Sequence, residues 1–202
     1  MSEHMALENL TVLDLTRVLA GPFCTMMLAD MGANVIKIEV PKGGDDTRSY
    51  PPFRAKNLNG ERESVYFANI NRNKKGITLN LKAPEGKEIF KELVKKADIV
   101  VENYRPGVMD KLGLGYDVLK EINPRIIYAA VSGFGCYGPY HLRPGYDILA
   151  QAMGGMMSIT GSKGGEPTRA GSALGDILGG LHVTIGILAA VNARTITGKG
   201  QR

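Results

Sequence analysis

Short β-branched runs alternate along this chain with longer helical patterns, and few folds accommodate that rhythm. "TVLDLT" (11–16) passes into "GPFCTMMLADMG" (21–32), and that into "NVIKIEV" (34–40). Strand, helix and strand make a βαβ unit, with Gly32 closing the helix. The alternation resumes with "GITLNL" as a strand and "APEGKEIFKELVKKAD" as an amphipathic helix whose Ile89, Leu93 and Val94 share a face. The strand "DIVVEN", the helix "VMDKLGLGYDVLKEINP" and the strand "RIIYAAVSGFG" follow. Strands spaced by helices of this length predict an α/β architecture with a mostly parallel, doubly wound sheet and helices on both faces. Beyond Gly145 the pattern turns helical: "YDILAQAMGGMMSIT", a turn at "GSKGGEP", then a long apolar helix from about Ala173 to Thr195. Between Pro41 and Glu63 lies a polar, Pro- and Gly-rich stretch, expected to be a long loop of the kind that often carries function. No internal repeat is visible, and "TGKGQR" at the end looks like the lead-in to another strand.

Composition narrows the function classes. With 202 residues, 44% hydrophobic and 22% charged, the chain can bury a real core. "MSEHMALENL" offers no apolar run behind a basic segment, and Leu181 to Val191 is short of the ~20 residues a membrane span needs. The expectation is a soluble, cytoplasmic protein that engages no membrane. Cys24 and Cys136 lack CxxC spacing, which predicts reduced structural thiols and no metal site. The formal charge of +5 suits an anionic ligand as well as nucleic acid, but 6% aromatics and no Trp make base stacking thin, so no nucleic-acid partner is expected.

The single motifs are weaker than their order. "GFGCYG" (133–138) satisfies GxGxxG after a strand, yet prolines stand where a phosphate-binding helix would begin and no acidic residue closes a second strand, which argues against a dinucleotide. His4, His141 and His182 have no suitably spaced partners, and His182 is expected to be a satisfied core histidine. Arg17, Arg48, Arg72, Lys74 and Lys75 follow strands or sit in loops, where they could together hold a polyphosphate. "GSALGDILGG" (171–180) isolates Asp176 among Gly175, Gly179 and Gly180. Glycines cost a helix ~1 kcal/mol each against Ala, so a cluster of them marks close packing or ligand access. In the first turn of its helix the carboxylate gains from the positive end of the dipole, which predicts a low-pKa nucleophile.

In order along the chain, "TRVLAGPF", "LADMGANVIKIEVP", "GDDTR", "NRNKKGITLNL", "ADIVVENYRPGVMDKLGLGYD", "INPRIIYAAVSGFG", "GYDILAQAMGG" and "ALGDILGG" resemble the N-terminal half of class III CoA-transferases, the group of formyl-CoA and carnitine-CoA transferases. The resemblance runs from about Leu7 to the end. It implies a Rossmann-like CoA-binding domain of which residues 1–202 are the N-terminal portion, the smaller domain and C-terminal half lying outside this sequence. It also implies that Asp176 attacks an acyl-CoA thioester, passing CoA to a carboxylic acid through an aspartyl anhydride and an aspartyl-CoA thioester. Glycine-loop N–H groups, with Gly133 and Gly135 as candidates, would stabilise the oxyanions. Val18, Leu19, Lys74, Lys75, Asn103, Tyr104, Lys111 and Leu112 match CoA-contacting positions, beside Arg17 as a phosphate candidate from its place after the first strand, and Tyr146 matches a tyrosine near the active centre. The related acyl-CoA racemases carry a "GHD" histidine where this chain reads "GYD". A racemase-type activity and a non-catalytic CoA-binding subunit are the alternatives. The expected partners are an acyl-CoA, a small carboxylic acid, and either a second copy in an interlocked homodimer or a complementary C-terminal chain.

Overall fold

In the computed structural model, which describes residues 4–54, 60 and 62–202, β-branched and aliphatic segments form the central layer. Strands β1 (Thr11–Asp14), β2 (Asn34–Glu39), β5 (Lys75–Thr78), β6 (Ile99–Glu102) and β7 (Ile127–Ala130) pair in parallel, in the order β5-β2-β1-β6-β7. Side chains alternate between its faces, as the period of a strand demands. Val12, Ile99 and Val101 enter one core with Cys24 and Leu28 of α1 (Ala20–Asp30) and Ile187 and Ala190 of a long helix, Leu174–Thr197. Leu13 and Val100 enter the other, with Phe90 and Val94 of α3 (Pro84–Val94) and Leu119 of the helix Tyr116–Ile122. The sheet is thus covered on both faces, as the alternation predicts.

Four segments depart from the sequence-based expectation. The 41–63 stretch holds a short 3-10 turn at Asp46–Ser49 and a small antiparallel pair, β3 (Phe53–Arg54) with β4 (Glu63–Ser64), before α2 (Val65–Ile70); its residues 55–59 and 61 lie outside the described residues. The helix expected over 108–124 is two, α4 (Val108–Lys111) and α5 (Tyr116–Ile122), because Gly113 turns the backbone left-handed at φ +72°. α3 buries Gly86, Phe90 and Val94 while Ile89 is half exposed, so the buried stripe lies one residue round from the expected one. The segment 146–160 splits at Gly154–Gly155 into α6 (Asp147–Met153) and a 3-10 turn at Met156–Ile159.

The long helix, α7, has 24 residues and is long and apolar enough to cross a membrane by length and composition, extending well beyond the apolar run 181–191. One side lies on α1 and the sheet, where Gly180 meets the Ala20 carbonyl so closely that a methyl group there would stand 2.5 Å from the oxygen. Near its end, the buried Arg194 pairs with Asp98 at 2.9 Å and donates to the Arg125 carbonyl. The chain then returns to β7, where Gly200 N–H donates to Pro124 O and Tyr128 N–H to Gln201 O.

Candidate active site

In the strand order, the chain winds outward from β1 to β2 and β5, then crosses back to β6 and β7. A crevice opens where the winding reverses, beyond the carboxyl ends of β1 and β6, the usual ligand position in open α/β sheets. A cleft of about 620 Å³ occupies that place. Arg17, Val18, Leu19 and Ala20 follow β1 on one side; Asn103, Tyr104 and Arg105 follow β6; Val131, Ser132 and Gly133 follow β7. Gly133 and Gly145 then touch backbone to backbone, since a methyl group on either would lie 2.2 Å from the other's Cα. That approach brings Arg143, Tyr146 and Asp147 to the cleft wall beside Gly175, Asp176 and Gly179 of α7.

Asp176 lies in the first turn of α7, half-buried, and no described residue hydrogen-bonds its carboxylate. Asp147 fixes the turn before it, taking the Gly175 N–H at 2.8 Å on one oxygen and Gln151 Nε2 at 2.8 Å on the other. The glycines divide their work. Gly175 packs against Ala150 and Asp147, Gly180 packs on α1, and Gly179 leaves open space toward the cleft. The expectation of a low pKa is corrected: burial, and then the negative charge of Asp147, push the Asp176 carboxyl above its ordinary value. A carboxylate so destabilised is a better nucleophile once ionised, because less solvation holds its charge back.

Of the sequence-predicted site residues, Asp176, Arg17, Val18, Leu19, Asn103, Tyr104, Gly133 and Tyr146 line this cleft. Lys74, Lys75, Lys111, Leu112 and Gly135 are not among its lining residues. The Lys74 ammonium is buried and donates to Asp14 Oδ2 at 3.0 Å, Pro22 O at 3.0 Å and Asn71 Oδ1 at 2.9 Å, which uses all its donors. Lys75 reaches Asn34 Oδ1 on the far edge of the sheet, and Leu112 packs on the second core. Nor do the arginines converge as a polyphosphate clamp: Arg48 grips Glu39 and stacks on Phe67, and Arg72 pairs with Asp30. His182, expected in the core, is exposed, its Nδ1 at 2.7 Å from Leu178 O. Cys24 is buried, and its thiol is pushed up to about 11 by that burial, an inert setting.

Sequence reasoning missed Arg105, Ser132, Arg143 and Asp147. Asp147 was adjacent to the recognised Tyr146, and its acidic first-turn position was the available signal. The Ser132 hydroxyl is buried with no hydrogen-bond partner among the described residues, and it stands in the cleft wall. A buried hydroxyl without a partner calls for one, and here a ligand can supply it.

The comparisons with known proteins follow the same outline. A family model described as CoA-transferase family III matches residues 7–202. The acetyl-CoA:oxalate CoA-transferase of Acetobacter aceti is 50% identical over 194 residues, covering 96% of this chain and 48% of that protein. The succinyl-CoA:glutarate CoA-transferase of Mus musculus is 50% identical over 195 residues, covering 96% of this chain and 43% of that protein. The crystal structure of a CAIB/BAIF family protein from Brucella suis superposes with a TM-score of 0.94 at 46% identity, covering 98% of this chain and 52% of that one. The chain thus spans about half the length of the curated relatives it matches.

Proposed function

The chain belongs to CoA-transferase family III, and from that premise we propose that the full-length protein transfers CoA from an acyl-CoA thioester to a carboxylic acid, with Asp176 as the nucleophile. The observation that carries this reading is a half-buried carboxylate at the start of α7, with no hydrogen-bond partner among the described residues, lining a cleft at the switch point of the sheet. The names of relatives, which pair acetyl-CoA with oxalate and succinyl-CoA with glutarate, support the reaction class.

The ionised Asp176 attacks the thioester carbonyl, and the tetrahedral intermediate expels CoA as thiolate, leaving a mixed anhydride. The thiolate adds to the aspartyl carbonyl and releases the first carboxylate, which leaves an aspartyl-CoA thioester. An incoming carboxylate displaces the thiolate to form a second anhydride. Attack of the thiolate on its acyl carbonyl then yields the new acyl-CoA and restores Asp176. Each step exchanges one acyl bond for another, and no net proton is required. Donors aimed at the developing oxyanion would lower each barrier. Ser132 Oγ and the backbone N–H of Gly133 are the candidates from the β7 end.

Trapping in the full-length protein tests this. Incubation with an acyl-CoA followed by hydroxylamine or borohydride is expected to modify the peptide that contains Asp176, and Asp176→Ala is expected to abolish transfer. Exchange that proceeds without a modified Asp176, or survives its replacement, overturns the assignment. A full-length protein that binds CoA, forms no adduct and transfers nothing is the binding subunit instead.

A further inference from the structure

The backbone from Thr16 to Val18 is gripped by side chains from β1, β2 and the turns that follow β2 and β6. Asp14 Oδ1 accepts the Thr16 N–H at 2.9 Å, and Lys37 Nζ donates to the Thr16 carbonyl at 2.8 Å. Asn103 accepts the Arg17 N–H at 2.9 Å and donates back to the Arg17 carbonyl at 2.7 Å. Asp45 Oδ1 accepts the Val18 N–H at 3.2 Å. Val18 has φ +68°, a left-handed backbone that a β-branched residue enters only when its surroundings impose it.

Asp45 is built to impose it. Its second oxygen takes Lys37 Nζ at 2.9 Å, and the two side chains are 0% and 2% exposed. The Thr47 N–H and hydroxyl fix the oxygen that meets Val18, at 3.0 and 2.8 Å. The Asp45 N–H donates to Glu39 at 2.7 Å, and Glu39 is clamped by Arg48. β2 and the turn after it are thereby fastened to the turn that lines the cleft. Two residues beyond Val18, the Ala20 carbonyl abuts Gly180, one helical turn past Asp176. The bend at Val18 therefore governs where the cleft wall stands relative to the nucleophile.

We propose that Asp45, paired with Lys37, is a positioning residue: it holds Val18 in the left-handed conformation and so sets the spacing between the β1–α1 turn and Asp176 across which an acyl-CoA thioester lies. This inference rests on the cleft being the acyl-CoA site.

A double-mutant cycle in the full-length enzyme tests it, using wild type, Asp45→Ala, Val18→Gly and the two combined. Glycine takes positive φ without help. With valine at 18, Asp45→Ala is expected to raise the KM for acyl-CoA and lower kcat/KM by about tenfold or more, the scale of left-handed strain at a non-glycine residue. With glycine at 18, the same substitution is expected to cost less than about threefold relative to Val18→Gly alone. A side chain that only supported the fold would cost the same in both backgrounds. Equal losses in the two backgrounds, or no loss with valine, overturn the proposal. If Asp45→Ala does not fold, the double replacement Asp45→Ala with Lys37→Met takes its place in both the valine and the glycine background, which leaves neither charge buried alone. Trapping at Asp176 separates the two ideas: a wild-type enzyme that forms no adduct removes the acyl-CoA reading, while one that forms it and shows an additive cycle removes only the role of Asp45.

Discussion

At the scale of single residues, the same carboxylate chemistry is pushed in opposite directions. Burial disfavours ionisation of Asp14 and Asp45, but Lys74 and Lys37, with threonine donors, outweigh it and hold both carboxyls below the usual range. Asp176 has only burial and the repulsion of Asp147, so its carboxyl is raised. In the proposed mechanism the attacking group is the ionised Asp176, and the acidic limb of the rate profile should therefore lie above that of an ordinary aspartate. Asp147→Asn removes the repelling charge while keeping an acceptor for Gly175, so it is expected to move the limb to lower pH. The check is the pH dependence of adduct formation; an unmoved limb would show that burial alone sets it. Asp176 was legible in the sequence because nothing else in "GSALGDILGG" carries charge. Lys74 misled because a buried lysine with three acceptors reads, in one dimension, like a solvated one ready for phosphate.

At the scale of elements, the strands were legible and the helix breaks were not. Each strand declared itself by β-branched density over a few residues, while Gly113 and Gly155 interrupt helical patterns whose hydrophobic spacing continues past them. α7 shows what periodicity leaves out. Its glycines look alike in sequence, yet Gly180 is pressed hardest against another backbone, Gly175 packs on α6, and Gly179 faces open space. Gly180→Ala must displace the Ala20 carbonyl or tilt α7, at an expected cost of about 1–3 kcal/mol, the range for overpacking. Gly179→Ala faces open space and is expected to hold or slightly raise stability through helix propensity. Denaturant unfolding of the two variants checks the contrast, and equal effects would show that α7 does not depend on that approach.

For the whole molecule, the parallel sheet buries an acid at the carboxyl end of β6. Glu102, at the end of β6, accepts the Tyr104 N–H at 2.7 Å and the Tyr128 hydroxyl at 3.1 Å, and burial pushes its carboxyl up to about 7 despite them. The folded state thus favours the protonated acid more than the unfolded chain does. Its contribution is fully present below the ordinary glutamate pKa and is lost as pH rises through about 7. The difference corresponds to roughly 3 kcal/mol well above that pH. Thermal unfolding of wild type and Glu102→Gln between about pH 4 and pH 8 is expected to show the wild type losing stability relative to the variant, mostly below about pH 7; parallel curves would place no such titration in the folded state. The doubly wound topology was legible from strand and helix alternation alone, whereas the cleft was legible only in part, because its walls come from distant segments that a linear pattern does not bring together.

The contact between Ala20 and Gly180 joins α1 to α7, far later in the sequence. During synthesis α1 leaves the ribosome long before its cover, and the apolar surface carrying Cys24 and Leu28 waits for α7 to arrive. The same late helix delivers Asp176. A nascent chain that has not yet buried that surface therefore also lacks the proposed nucleophile, so the order of synthesis ties the covering of α1 to the arrival of the candidate site.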